Sequence, residues 1–382
     1  LSVILNSKNI IGIDNNVLTQ YLKRIHKKAL KSGIDRDIWQ ENYKALLKGI
    51  EDGWGSPFAE INYNHPNWKY IAELKYHTAS FAAFKNHDEV NEITKLLIGE
   101  DGKPRKWIDF RNEALKVSEK YNKRWLQTEF NHAHQSARMA AKWKEYETTA
   151  DLYPNLRYVA VMDDRTRPEH KKLHGLIYPM NHSFWDVHYP PNDYGCRCNA
   201  MPSDDPVNMS ESLPDLPPGF RNNPGKTGKV FDTKGGYYKG VGAKSRSEID
   251  KLTQNYYRWG ERKTAQEWGV ANLINHAGIM KRNAGQVTFT TKGIKEFLNQ
   301  PHEFYNVKNQ LIYQIDDILK NSTYHGRLPD WKNNSNVLEH VYYKTMIEGK
   351  ASYLDVRVMK NGDKHLYSIL DKDPLIKSKK NK

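Results

Sequence analysis

The only two cysteines of this 382-residue chain, Cys196 and Cys198, are separated by a single arginine. A disulfide between residues two apart would close a small strained ring, so the two are not expected to bridge. In an extended segment residues i and i+2 point to the same side, and two thiolates side by side make a metal clip. Upstream, "RTRPEHKKLHG" supplies His170 and His174, which share a face on a helical turn. Two sulfurs with one or two imidazoles are the ligand set of a tetrahedral structural zinc site. The plain alternative is two buried thiols and two solvated histidines. A hydrolytic zinc would also need an open position and a carboxylate base, for which Glu169 and Glu129 are the candidates.

A second group of reactive side chains lies near the end of the chain. "EHVYYKTMI", "KASYLDVRVM" and "KHLYSIL" read as three strands of a meander, joined at Glu348-Gly349 and Asn361-Gly362, both two-residue hairpin signals. Two such turns fix a register. Leu354 then faces Tyr343 and Ile369, Val356 faces Val341 and Tyr367, and Val358 lies beside His365, on an apolar side that should receive two preceding helices. On the other side His340 aligns with Arg357, Tyr342 with Asp355 and Ser368, and Lys344 with Tyr353. A solvated sheet face is normally polar, but it tends toward Lys, Glu and Thr rather than this mixture. RNA cleavage by its own 2′-hydroxyl needs a base, an acid and cations for the phosphate, and no metal. His340 suits the proton transfers, with His325 of "TYHGRLPD" as partner or rival. Arg357 and Lys344 would hold the phosphate. Tyr342 and Ser368 would donate hydrogen bonds, and Tyr342 could also stack a base.

Elements must position these groups. At this length a single core is not expected, and the fold class is α+β, multidomain. Residues 1–150 read as helical, from "VLTQYLKRIHKKALKSG" to "RKWIDFRNEALKVSEKYNKRWLQTEFNHAHQSARMAAKWKEYE", which has no internal Gly or Pro and predicts one long helix or two with a bend. Residues 151–225 open on the strand "LRYVAVMDD", carry the cysteines and end in a Pro- and Gly-rich extension predicted to be an extended surface segment. Residues 226–285 form a linker with a helical piece ending near Asn283-Ala284-Gly285, and residues 286–382 a separate unit of helices, antiparallel sheet and basic tail.

Lys and Arg outnumber Asp and Glu by 59 to 45, a net charge of +14, the footprint of something that meets polyanions. Basic residues that merely solubilise an aromatic-rich surface would give the same excess. No segment approaches the roughly 18–20 apolar residues of a membrane span, and the start lacks a basic n-region, so neither a spanning helix nor a secretory leader is expected. The first residue is Leu rather than Met, so a natural start upstream is expected.

The stretch "YVAVMDDRTRPEHKKLHGLIYPMNHSFWDVHYPPNDYGCRCNA" resembles the core of the phage Mu F-like head morphogenesis family, minor capsid proteins of tailed phages. The resemblance rests on Asp164, Arg165, Arg167, His170, Leu173, Gly175, Trp185, Pro190, Pro191, Cys196, Arg197 and Cys198, and extends to "RWLQTEFNHAHQSARMAAKW" before and "LPPGFRNNPGKTGKVF" after. Some members carry T-C-x-x-C where this chain has Thr166, Arg167 and His170. His for Cys at 170 is an exchange of zinc ligands, whereas Arg167 cannot ligate. The resemblance thus implies a structural zinc held by His170, Cys196 and Cys198, with the fourth place left to His174, Asp193 or water. It also implies assembly near the portal, with capsid proteins as partners and the virion interior as location.

Helices followed by the meander in "VLEHVYYKTMIEGKASYLDVRVMKNGDKHLYSIL" resemble the barnase–EndoU–colicin–RelE-like nuclease group, whose phage-associated branch is found fused behind Mu F-like domains. That resemblance implies a toxin-like, metal-independent endoribonuclease. It would ride with the genome into the host cytoplasm, act on an RNA such as tRNA and be restrained by an immunity protein. The competing expectation is a purely structural minor head protein whose basic last module binds packaged DNA or a capsid partner.

Overall fold

In the computed structural model, residues 12–30, 33–58, 65–233, 235–274, 279–281, 285–330, 332 and 334–379 are described. The expected break at Asn283-Ala284 and the end of the basic tail lie outside them. Helices α1 (Asn15–His26) and α2 (Arg36–Trp54) each start at an aspartate, Asp14 and Asp35, whose carboxylate accepts from two otherwise unpaired backbone N–H groups. After α3 (Trp68–Lys95), α4 (Trp107–Glu119) passes through one π turn, Lys120–Trp125, into α5 (Leu126–Thr148). The stretch without Gly or Pro is therefore one rod with a residue inserted in its middle.

The bundle around that rod is partly polar inside. Lys85 of α3 and Glu129 of α5, both fully buried, form an ion pair. Glu89, also buried, accepts from Ser118 Oγ at 3.0 Å and from Asn122 Nδ2 at 2.7 Å, and Asn122 in the π turn accepts in turn from Asn42 of α2 at 3.0 Å. All but the Asn42 Oδ1 atom have a partner, which is what makes such burial tolerable.

Beyond α5 the chain forms β1 (Asn155–Val159), α6 (Pro168–Leu173), β2 (Ile177–Pro179), α7 (Phe184–Val187) and β3 (Asn199–Ser203). The three strands make an antiparallel sheet in the order β2-β1-β3. Leu156 and Tyr158 of β1 alternate toward a core they share with Met139, Trp143 and Tyr146 of α5 and with Trp185 and Tyr189. This small α+β part borrows its core from the end of the long helix.

The Pro- and Gly-rich extension is not a free surface segment. It carries α8 (Pro224–Thr227) against α5, and a side chain at Gly225 would collide with Trp143. Farther on, Phe231 stacks on Phe81 of α3 at 3.6 Å between ring centres, and Tyr237 donates to Glu129 at 2.6 Å. Aromatic side chains thus strap residues 220–238 to the bundle, an outcome that composition alone did not predict.

Then come α9 (Ala243–Leu273), β4 (Ile279–Lys281), β5 (Gly285–Val287), α10 (Thr291–Asn299), α11 (Tyr305–Gln310) and α12 (Ile315–Asn321). They precede β6 (Thr323–Pro329), β7 (Val337–Ile347), β8 (Lys350–Met359), β9 (Lys364–Leu370) and α13 (Pro374–Lys379). The chain divides into two units that change over between Tyr256 and Tyr257, with His65 also counted in the second, so the main changeover comes earlier than the boundary expected at residue 286. In the second unit β6–β9 form one antiparallel sheet in sequence order, a strand more than the expected meander. Its apolar side, with Tyr343, Leu354, Val356, Leu366 and Ile369, packs on Ile294, Phe297 and Leu298 of α10 and on Leu311, Ile315 and Leu319.

Candidate metal centre and sheet-face site

His170 projects from α6, and Cys196 and Cys198 lie just before β3. The His170 Nδ1 atom is 3.7 Å from Cys196 Sγ and 3.6 Å from Cys198 Sγ, and all three residues are buried. Both cysteines are free thiols, and these three are the only residues among those described that converge as a metal-ligand group. One imidazole and two thiols facing a common point fit a soft, tetrahedral ion such as zinc.

His174 does not join them. It is exposed, and its Nδ1 accepts the Ala160 N–H at 3.1 Å. Asp193 is paired with Arg167 at 3.0 Å. Glu169 is exposed and Glu129 is held by Lys85 and Tyr237, so neither suggested carboxylate base stands at the thiols. Sequence reasoning missed Tyr158 and Asn192. The Tyr158 hydroxyl donates to Asn192 Oδ1 at 2.7 Å and lies beside Cys198, and the Asn192 backbone N–H supports Cys196. The hydrogen bond from Cys198, with further help from His170, holds the Cys196 thiol well below its usual range, while that same bond drives Cys198 up. A divalent ion bound there would hold both sulfurs as thiolates.

On the second unit the polar sheet face divides into two ends. At one, His340 is almost fully buried, with Nδ1 2.7 Å from Asp355 Oδ1 and Nε2 3.1 Å from Asp330 Oδ1. Burial disfavours its charge, but hydrogen bonds to both carboxylates outweigh this and raise its pKa above the usual histidine value. Ser368 donates to the other Asp355 oxygen at 3.4 Å, and Tyr342 lies beside His340, its phenol pushed up by burial. With both ring nitrogens engaged, His340 has no free lone pair for a general base. At the other end, His325 at a bulge in β6 lies 2.9 Å from Asp373 and packs its ring on Tyr353. Lys344, exposed, is opposite Tyr353. The two histidines therefore belong to separate pairs.

The register differs from the expected one in two compensating ways. Glu348 and Gly349 make the two-residue turn, both with positive φ. The second turn is longer: Met359 N–H bonds to Asp363 O, enclosing Lys360, Asn361 and Gly362. This moves β9 by one position, so that Val358 faces Lys364, Arg357 faces His365 and Val356 faces Leu366 rather than Tyr367. A bulge between Asp355 and Val356 then restores the expected pairs, Asp355 with Ser368 and Leu354 with Ile369. Between the two irregularities the faces are exchanged. Leu366 enters the core, while His365 and Tyr367 come to the polar side, where the Arg357 guanidinium lies 3.2 Å over the Tyr367 ring centre. Neither His365, Tyr367, Asp330 nor Asp373 was marked by a motif.

The first unit is a helical bundle that ends in a small three-stranded sheet beside a His–Cys–Cys cluster. Residues 26–201 match the family model described as Phage Mu protein F like protein, and the chain thus carries a Mu F-like region. Over 93 residues it is 43% identical to "Putative capsid assembly protein F" of Escherichia phage Mu, covering 24% of this chain and 21% of that one. Over 195 residues it is 29% identical to the Mu-like prophage FluMu F protein of Haemophilus influenzae, covering 50% of this chain and 41% of that one. The chain therefore spans well under half the length of these relatives. A stretch of 45 residues is 49% identical to an uncharacterized protein of Methanocaldococcus jannaschii. Residues 260–367 match a second model, Large polyvalent protein-associated domain 3, whose name gives no activity. No solved structure matches. Among the described residues no helix is long and apolar enough to cross a membrane.

Proposed function

We propose that this chain is a capsid assembly protein of the minor head type, placed near the portal with capsid proteins as partners. Its Mu F-like core would be braced by a structural zinc on His170, Cys196 and Cys198. The observation that carries the reading is the buried imidazole and thiol pair within the Mu F-like region. The ion would supply folding energy rather than chemistry, since no carboxylate base stands at the thiols. Metal analysis of the purified full chain should give one zinc per chain, and chelation should lower the melting temperature of the first unit. A chain that melts identically with and without chelator removes the structural zinc. Particles assembled without the chain should be defective in head assembly, and normal heads would remove the assembly role.

For the second unit we favour RNA cleavage through the 2′-hydroxyl, with the proton transfers moved from His340 to His325. His325 is partly exposed and oriented by Asp373, as a working histidine needs. Lys344 on the same face would serve the phosphate. Full-length protein without added divalent ions should yield products ending in 2′,3′-cyclic phosphate, and His325→Ala should abolish them. Nucleic-acid binding without any cleavage would favour instead the module that holds packaged DNA. Delivery to the host cytoplasm and an immunity partner belong to the cleavage reading and stand or fall with it.

A further inference from the structure

We infer that Arg357, His365 and Tyr367 form an oxyanion seat on the second unit and that its ligand is a phosphate group of a nucleotide strand. The three meet only because the chain slips by one position between the 360–362 turn and the Asp355/Val356 bulge. Arg357 and His365 are directly opposite each other on β8 and β9, so their side chains leave the same face as neighbours. Tyr367 lies under the guanidinium and holds its plane fixed.

Arg357 has no ion-pair partner among the described residues; its polar contact is with Tyr367, and its Nε is a buried donor left unpaired. An unpaired buried donor is costly, and an oxyanion that accepts from it relieves that cost. The carboxylates close by are already engaged: Asp355 by His340 and Ser368, Asp330 by His340 and the Asn334 N–H. Glu296 lies within charge range of Tyr367 but makes no ion pair with Arg357, so no carboxylate occupies the guanidinium fork among the described residues. His365 adds a second donor when its ring carries a proton on each nitrogen, since the Thr288 hydroxyl donates to Lys364 O and accepts from Nδ1. Its Nδ1 is 2.7 Å from Thr288 Oγ1, a contact that sets the ring's orientation and leaves Nε2 for a ligand. A rigid guanidinium fork beside an imidazole suits the two oxygens of a phosphate. Phosphate over carboxylate, and a nucleotide over other phosphates, follow from the chain's positive charge and rest on the RNA-handling reading above.

Full-length protein would be titrated with inorganic phosphate, uridine 3′-monophosphate and acetate by calorimetry. Both phosphates should bind and acetate should not, and the nucleotide should bind more tightly. Arg357→Gln should weaken phosphate binding about ten-fold or more, and His365→Ala by a smaller factor. If Arg357→Gln unfolds the second unit, Arg357→Lys decides: it keeps the charge and loses the fork and the stack, and should weaken binding by a similar factor. Parent-like binding by a folded Arg357 variant overturns the seat, and equal binding of acetate and phosphate replaces the nucleotide by a protein carboxylate. RNA cleavage that is absent while phosphate binding depends on Arg357 overturns the catalytic reading and leaves the seat. Cleavage that persists without any Arg357-dependent binding does the reverse.

Discussion

Arg197, the residue between the two cysteines, grips Asp163 with both terminal nitrogens, at 2.7 and 2.5 Å. Asp163 in turn accepts the Thr166 hydroxyl at 3.0 Å and the Arg165 N–H at 3.1 Å, and the Arg197 hydrogen bond holds its carboxyl well below the usual range. The segment from Asp163 to Thr166 is thus fastened to the cysteine pair through a side chain that cannot ligate. Arg197→Lys should leave metal content unchanged and speed hydrogen exchange at the Arg165 amide, because a lysine cannot bridge both carboxylate oxygens. Unchanged exchange there would show that the fork does not order the segment.

The two histidines of "EHKKLH" should behave oppositely. His170→Ala or Cys198→Ser should abolish stoichiometric zinc binding and lower the first unit's melting temperature, whereas His174→Ala should retain the metal. Metal analysis of the three variants decides this, and loss of zinc in His174→Ala would return that residue to the ligand set.

Glu89 should make the first unit sensitive to alkali. Burial raises its pKa from 4.5 to about 7 in the folded protein, against the opposing bonds from Ser118, Asn122 and Asn86 and the charge of Lys85. A raised acid contributes stability that is complete below its unfolded pKa and lost as pH rises through the folded one. The loss should be roughly 3 kcal/mol between pH 4.5 and 7.5, from about 1.4 kcal/mol per pH unit. Glu89→Gln should flatten that part of the stability profile, followed by denaturant melts from pH 5 to 8.

His340 should act in the same direction on the second unit. Its folded pKa is raised, so its contribution is complete below the ordinary histidine value and fades as pH climbs past the folded one. Asp355→Asn breaks a buried charge pair and should cost about 3–5 kcal/mol. It should also remove the His340 loss, so that above pH 7 the variant's stability rises with pH relative to the parent, as the buried Lys308, whose pKa is lowered to about 7, requires. A variant as pH-dependent as the parent would show that the imidazole is not held charged by this carboxylate.

Much of the architecture could be read from the residues because periodicity and turn chemistry are local. The helical first region, the first hairpin at Glu348-Gly349 and the pairs His340–Arg357 and Tyr342–Asp355 follow from spacing alone. The cysteine pair and His170 could be brought together because few residue types can occupy such a cluster. What could not be read was non-local. Strand β6 contains Gly326 and ends at Pro329, and its pairing with β7 becomes visible only once both are in a sheet. Asp330 and Asp373 reach the two histidines from a loop and from a segment before a short helix, with no fixed spacing to either. The three-residue turn is still an Asn-Gly turn, so its extra residue left no mark, and it exchanged the faces of His365, Leu366 and Tyr367.

The π turn at Lys120–Trp125 splices two helical wheels into one rod. Each added residue advances an α-helix by about 100°, so the stripe that α4 presents and the stripe that α5 presents are offset by a fixed rotation. Asn122 stands at the splice, where its amide reaches both Asn42 and Glu89. Removing one residue from this turn would rejoin the wheels into a single phase and carry either the Phe110 side or the Phe130 side of the rod away from its neighbours. Length at this point is therefore constrained as tightly as composition, and homologous rods should keep the same number of residues between those two phenylalanines.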